Sequence, residues 1–121
     1  MPHFDGPLFY PTITTLSVGS HAVLEFVEPR SNDEDISEKT PVFKLLVEPR
    51  SLLVLQDNLY RCFMHSISEI GQDDVTDPLI RNLDKTSLAT ATSKVLQRST
   101  RFSLTIRNVP KTSKLKLKFG K

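Results

Sequence analysis

The sequence has 121 residues, 38% of them hydrophobic, with no tryptophan and a formal net charge of +2. That is one domain's worth of chain with material for one modest core, and the near-balanced charge does not by itself announce a nucleic-acid binder. No run approaches the apolar length that spans a bilayer, and no secretory signal is visible after Met1, so the expected location is cytoplasm or nucleus.

The chain opens MPHFDGPLFY, ahead of any predicted element. Thr12 to Val18 is rich in β-branched residues and reads as a strand closed by Gly19-Ser20. Ala22 to Val27 follows at once, so the two read as a hairpin. Asn32 to Thr40 is acidic and unpatterned, a solvated loop. Val42 to Val47 and Leu52 to Gln56 are two further strands. Tyr60 to Ile67 is apolar but too short for periodicity to choose between strand and helix. The single cysteine, Cys62, excludes an internal disulfide framework, fits a reducing compartment and reads as a small buried hydrophobe. Ile70 to Arg98 is rich in Asp, Ser and Thr, with a short helix predicted near Ser87 to Leu96. Thr100 to Val109 is a strong strand, and Lys114 to Lys118 alternates Lys and Leu like an exposed edge strand.

VEPRS occurs at Val27 to Ser31 and again at Val47 to Ser51, with unmatched flanks. Pro29 and Pro49 therefore read as strand-end punctuation, because proline cannot donate to a ladder. Many short strands with turn signals between them predict a mainly β domain, of sandwich, barrel or jelly-roll type.

Three histidines are available for chemistry. His21 lies in the Gly19-Ser20-His21 turn and reads as a solvated turn residue. His3, Asp5 and His65 are the residue types of a two-histidine, one-carboxylate iron site, and residues i and i+2 of an extended segment point the same way. Spacing alone favours a plainer role for His65, as a hydrogen-bonded core histidine. A second constellation is RFSLTIR, where alternation puts Arg101, Ser103, Thr105 and Arg107 on one face and Phe102, Leu104 and Ile106 on the other. The apolar face suits a core. The two cations are either solvated or aimed at an anionic partner, and a dicarboxylate would offer each arginine a bidentate contact. Lys111, Lys114, Lys116, Lys118 and Lys121 suit either phosphate neutralisation or protection of an edge strand. Phe4, Phe9 and Tyr10 read as a base pocket or as core.

Taken together, P-H-x-D-G-P, the run L-x-E-P-R-S-L-L-V-L, a later histidine and R-x-S-L-T-I-R resemble the AlkB-like Fe(II)/2-oxoglutarate dioxygenases, most of all their eukaryotic branch. The similarity runs from Met1 to about Pro110. The resemblance implies that His3, Asp5 and His65 bind Fe(II), and that Arg101 and Arg107 hold 2-oxoglutarate. It implies a double-stranded β-helix, or jelly roll, with the metal at its open end. The implied reaction couples conversion of 2-oxoglutarate and O2 to succinate and CO2 with hydroxylation of an N-alkyl group, commonly on a nucleobase, which then leaves as formaldehyde. It also implies strands and an Asn-x-Tyr pair ahead of His-x-Asp that this sequence does not contain. The expectation is thus an incomplete jelly roll: residues 1 to 121 form the C-terminal portion of the domain, with a polar insertion at about 70 to 98, a basic tail at 111 to 121 and little turnover alone. The alternative is an inactive binding module or a nucleic-acid-binding fragment.

Overall fold

The computed structural model describes residues 1 to 29, 40 to 88 and 92 to 110. Its strands are β1 (Thr12–Gly19), β2 (Ala22–Val27), β3 (Phe43–Val47), β4 (Ser51–Gln56), β5 (Met64–Ile67), β6 (Gln72–Asp74), β7 (Val95–Gln97) and β8 (Arg101–Arg107). One five-residue helix, α1 (Asp57–Arg61), precedes β5, and a 3₁₀ turn covers Leu83–Lys85. Two three-stranded antiparallel sheets, ordered β4-β1-β8 and β3-β2-β5, carry the fold, and β6 and β7 form a small ribbon. The protein is mainly β, as its sequence predicts. No helix among the described residues is long and apolar enough to cross a membrane.

The inner faces of the two sheets meet over one core. Leu24 and Phe26 of β2, Val47 of β3 and Leu55 of β4 are buried together, with Phe43, Leu53, Phe63 and Ile67 against them. Phe26 is completely buried and stacks on Phe43 at 4.5 Å between ring centroids. The strand residues are β-branched or large and apolar at alternate positions, so the same side chains that favour extended backbone also supply the buried face.

The outer face of the β3-β2-β5 sheet is covered as well. Val23 and Leu46 pack there with Ile80, against Leu83, Leu88 and Leu96. Ile80, Leu83, Leu88 and Leu96, which lie between β5 and β8, thus help to cover that face. Its Asn82 side chain accepts from the Leu46 amide and donates to the Leu46 carbonyl, both at 2.8 Å, standing in for a strand partner on the edge of β3. Lys44 is clasped by Glu25 at 3.2 Å and Asp77 at 3.0 Å.

Four expectations change, and one question left open is answered. β1 and β2 are not a hairpin but lie in different sheets. Gly19 adopts a left-handed φ of 88°, and the Ser20 amide bonds to the Thr100 carbonyl instead of returning toward β1. The chain thus turns a corner there. The Tyr60 to Ile67 run divides, its start ending α1 and its end forming β5. No helix forms over the described part of Ser87 to Leu96, because Val95 and Leu96 pair with β6. Cys62 is exposed at the end of α1. Phe102, Leu104 and Ile106 are 63%, 59% and 63% exposed, so the apolar face of β8 is not core. The inward face of that strand is the one carrying the arginines. The predicted basic strand at Lys114 to Lys118 and nearly all of the acidic loop at Asn32 to Thr40 lie outside the described residues.

Candidate active site

A cavity of about 340 Å³ lies between the inner faces of the two sheets. Its walls include Ile13 and Thr15 of β1, Leu24 of β2, Leu53 and Leu55 of β4, and Arg101, Ser103, Thr105 and Arg107 of β8. His3, Asp5 and His65 stand along the same cavity. Residues from both ends of the sequence thus meet in one apolar-walled space that carries two cations.

The N-terminal segment is held by β5. The His3 amide donates to the His65 carbonyl at 3.1 Å and the His65 amide donates to the His3 carbonyl at 3.0 Å, a single antiparallel bridge on the free edge of the sheet. That bridge sets the two imidazoles side by side, 4.6 Å between centroids. Two residues on, Asp5 turns its carboxylate inward until its side chain is only 5% exposed, while Phe4 faces outward. The Tyr60 hydroxyl on α1 donates to the Gly6 carbonyl and fixes the chain beyond Asp5.

The Asp5 carboxylate serves two neighbours. One oxygen accepts from Nη2 of Arg107 at 3.0 Å, and the other lies 3.8 Å from Nε2 of His65. Burial pushes the His65 imidazole below its ordinary range; Asp5 opposes this, and the charges of His3 and Arg107 add to it. At neutral pH the ring is therefore the uncharged form that can ligate a metal. Two imidazoles and one carboxylate are a donor set that suits Fe(II). Among the described residues, however, no three His, Cys, Asp or Glu side chains converge as a preformed metal cage. His3 is exposed, and its Nδ1 lies 3.2 Å from the Met1 carbonyl oxygen.

Arg101 differs from Arg107. Its Nη2 donates to the Ser17 hydroxyl at 2.8 Å, and its Nε is buried with no partner. Among the described residues it makes no ion pair, although burial and the nearby Arg98 charge both disfavour its cationic form. A guanidinium so placed in a cavity fits an anionic ligand, because an uncompensated buried charge is costly.

A second cluster was not predicted. His21 is buried rather than solvated, and its Nε2 lies 2.9 Å from Oδ2 of Asp73. Arg98 grips the same carboxylate through Nε at 2.6 Å and Nη2 at 2.7 Å. These residues are dispersed along the sequence without a spacing that marks them. The only signal was the position of His21 against an apolar strand.

No protein-family model matches the chain. It is 42% identical over its whole length to the protein described as "Probable RNA/DNA demethylase ALKBH6" of Danio rerio, of which it covers 52%. It is also 30% identical, over 91% of its length, to "Uncharacterized protein L905" of Acanthamoeba polyphaga mimivirus, covering 42% of that protein. The chain spans about half the length of the curated relatives it matches. The expected similarity thus extends from one end of the chain to the other: over its whole length the chain is similar to ALKBH6.

Proposed function

We propose that the chain forms part of an Fe(II)- and 2-oxoglutarate-dependent dioxygenase that demethylates or hydroxylates an alkylated substrate, with nucleic acid as the substrate class. The observation that carries this reading is the shared cavity, lined by His3, Asp5 and His65 together with Arg101 and Arg107. The name of the Danio rerio relative supports the substrate class. Alternation of the chain between the two sheets supports the jelly roll that the family resemblance implies.

In this reading His3, Asp5 and His65 would hold Fe(II), which would supply the oxidation of 2-oxoglutarate by O2 coupled to hydroxylation of the alkyl carbon. The rest is the work of side chains. Neutral His65 offers a lone pair, and Asp5 offers the one negative charge of the set. Arg107 braces Asp5 by occupying one of its oxygens, which limits the directions the carboxylate can take. Arg101 attracts a carboxylate of the cosubstrate into the cavity, where a charged hydrogen bond is strong. Leu24, Leu53 and Leu55 give the cavity apolar walls. Hydroxylation next to a nitrogen yields a hemiaminal, which releases formaldehyde.

Succinate formation is the test. The chain, supplied with Fe(II), 2-oxoglutarate and an N-methylated oligonucleotide, is expected to turn over slowly, forming succinate and formaldehyde in equal amounts, and Arg101→Ala is expected to lose both. Succinate production that survives Arg101→Ala together with Arg107→Ala would overturn the reading.

A further inference from the structure

Arg101 lines the cavity, but the residue that aims it does not. Ser17 lies on the central strand β1, opposite Ser51 on one side and Ser103 on the other. It is among the most deeply buried residues of the chain, at 0% exposure. Its hydroxyl accepts from Nη2 of Arg101 at 2.8 Å, across 84 positions of sequence. We infer that Ser17 is a positioning residue that orients Arg101 toward the carboxylate of a dicarboxylic ligand while leaving its charge uncompensated. This inference rests on the 2-oxoglutarate reading above and goes beyond it by naming the residue that orients Arg101.

Three observations support it. The first is the chemistry of the partner. A serine hydroxyl satisfies one guanidinium N–H without neutralising the cation, whereas an aspartate there would consume the charge that a ligand needs. The second is the contrast with neighbouring arginines. Arg98 is neutralised by Asp73, and Arg107 by Asp5, so Arg101 is the cavity-lining arginine with no ion pair among the described residues. The third is position. In the β1 register Arg107 stands opposite Ile13 and Arg101 opposite Gly19. Their Cα atoms are therefore roughly 20 Å apart along the strand, and their long side chains reach into the cavity from its two ends. Arg107 reaches Asp5, so Arg101 marks the end remote from the histidines. A ligand carboxylate bound by Arg101 is thus the one farther from the metal donors.

The test is calorimetric titration of the full chain, with Mn(II) present, using 2-oxoglutarate and 2-oxovalerate. The second ligand has the same carbon chain without the distal carboxylate. Ser17→Ala is expected to weaken 2-oxoglutarate binding about tenfold, the worth of one hydrogen bond to a charged group, and to leave 2-oxovalerate binding unchanged in a chain that still melts cooperatively. Ser17→Asp is expected to abolish the preference for the dicarboxylate in a chain that still melts cooperatively. Equal weakening of both ligands in Ser17→Ala, or an unchanged preference in either variant, would overturn the inference while leaving the 2-oxoglutarate reading intact. Absence of 2-oxoglutarate binding by the unaltered chain would overturn both.

Discussion

Asp73 shows how one buried carboxylate can organise distant parts of this chain. It receives two hydrogen bonds from Arg98 and stands against His21, tying the start of β2 to the connection that enters β8. Removing one partner of such a cluster strands the remaining charge, so Asp73→Ala should cost about 3 kcal/mol in urea unfolding. The pH dependence has a definite sign. Burial pushes the Asp73 carboxyl up, but the hydrogen bonds and charge of Arg98, with those of His21, outweigh it and hold the group below its ordinary value of 3.8. A carboxyl depressed on folding stabilises the protein fully above that ordinary value and loses the contribution as pH falls through the lowered one. The stability gap between the unaltered chain and Asp73→Ala should therefore be widest near neutral pH and close below about pH 4. A gap that widened on acidification would contradict this account. Apart from the place of His21 beside an apolar strand, this was not legible in sequence, because three polar residues with no periodic relation carry no pattern until the fold brings them together.

At the scale of elements, the strands themselves were legible. β1, β2, β3, β4 and β8 lie close to their predicted bounds, since β-branched and large apolar residues concentrate in them. Their pairing was less legible. Gly19 and Ser20 are ordinary hairpin residues, yet here they carry the chain from one sheet to the other, and the decisive contact is with Thr100, 81 and 80 positions away. A Cβ at Gly19 would collide with the Thr100 carbonyl oxygen, and the left-handed φ of 88° adds strain for any other residue. Gly19→Ala is accordingly expected to destabilise by about 2 kcal/mol or more, measured by thermal melting, and a neutral effect would contradict the corner geometry. The alternation of β8 correctly separated its two faces but not their fates. The outer face of the β3-β2-β5 sheet has Ile80, Leu83 and Leu96 over it, whereas Phe102, Leu104 and Ile106 face outward on the other sheet. Phe102→Thr should then change stability by no more than about 0.5 kcal/mol, against about 3 to 5 kcal/mol for Phe26→Ala. Equal losses in the two variants would mean that the outer face of β8 is buried.

For the molecule as a whole, the fold joins the two ends of the sequence across one cavity. His3 and Asp5 precede the first strand, Arg101 and Arg107 sit on the last, and His65 lies between them on β5. The residue types and their order were readable, because His-x-Asp and R-x5-R are rare enough in combination to point to a family. Their mutual geometry was not readable. The bridge between His3 and His65 and the pairing of Asp5 with Arg107 arise from the meeting of backbone edges and from β8 lying beside β1. The central claim is that His3, Asp5 and His65 serve one metal ion beside that cavity, and titration of the chain with Mn(II), followed by the loss of the free-ion paramagnetic resonance signal, tests it most directly. The account predicts binding of one equivalent by the unaltered chain and loss of that binding in His65→Ala, with the melting transition of the variant retained. Undiminished one-to-one binding in a folded His65→Ala chain would contradict it.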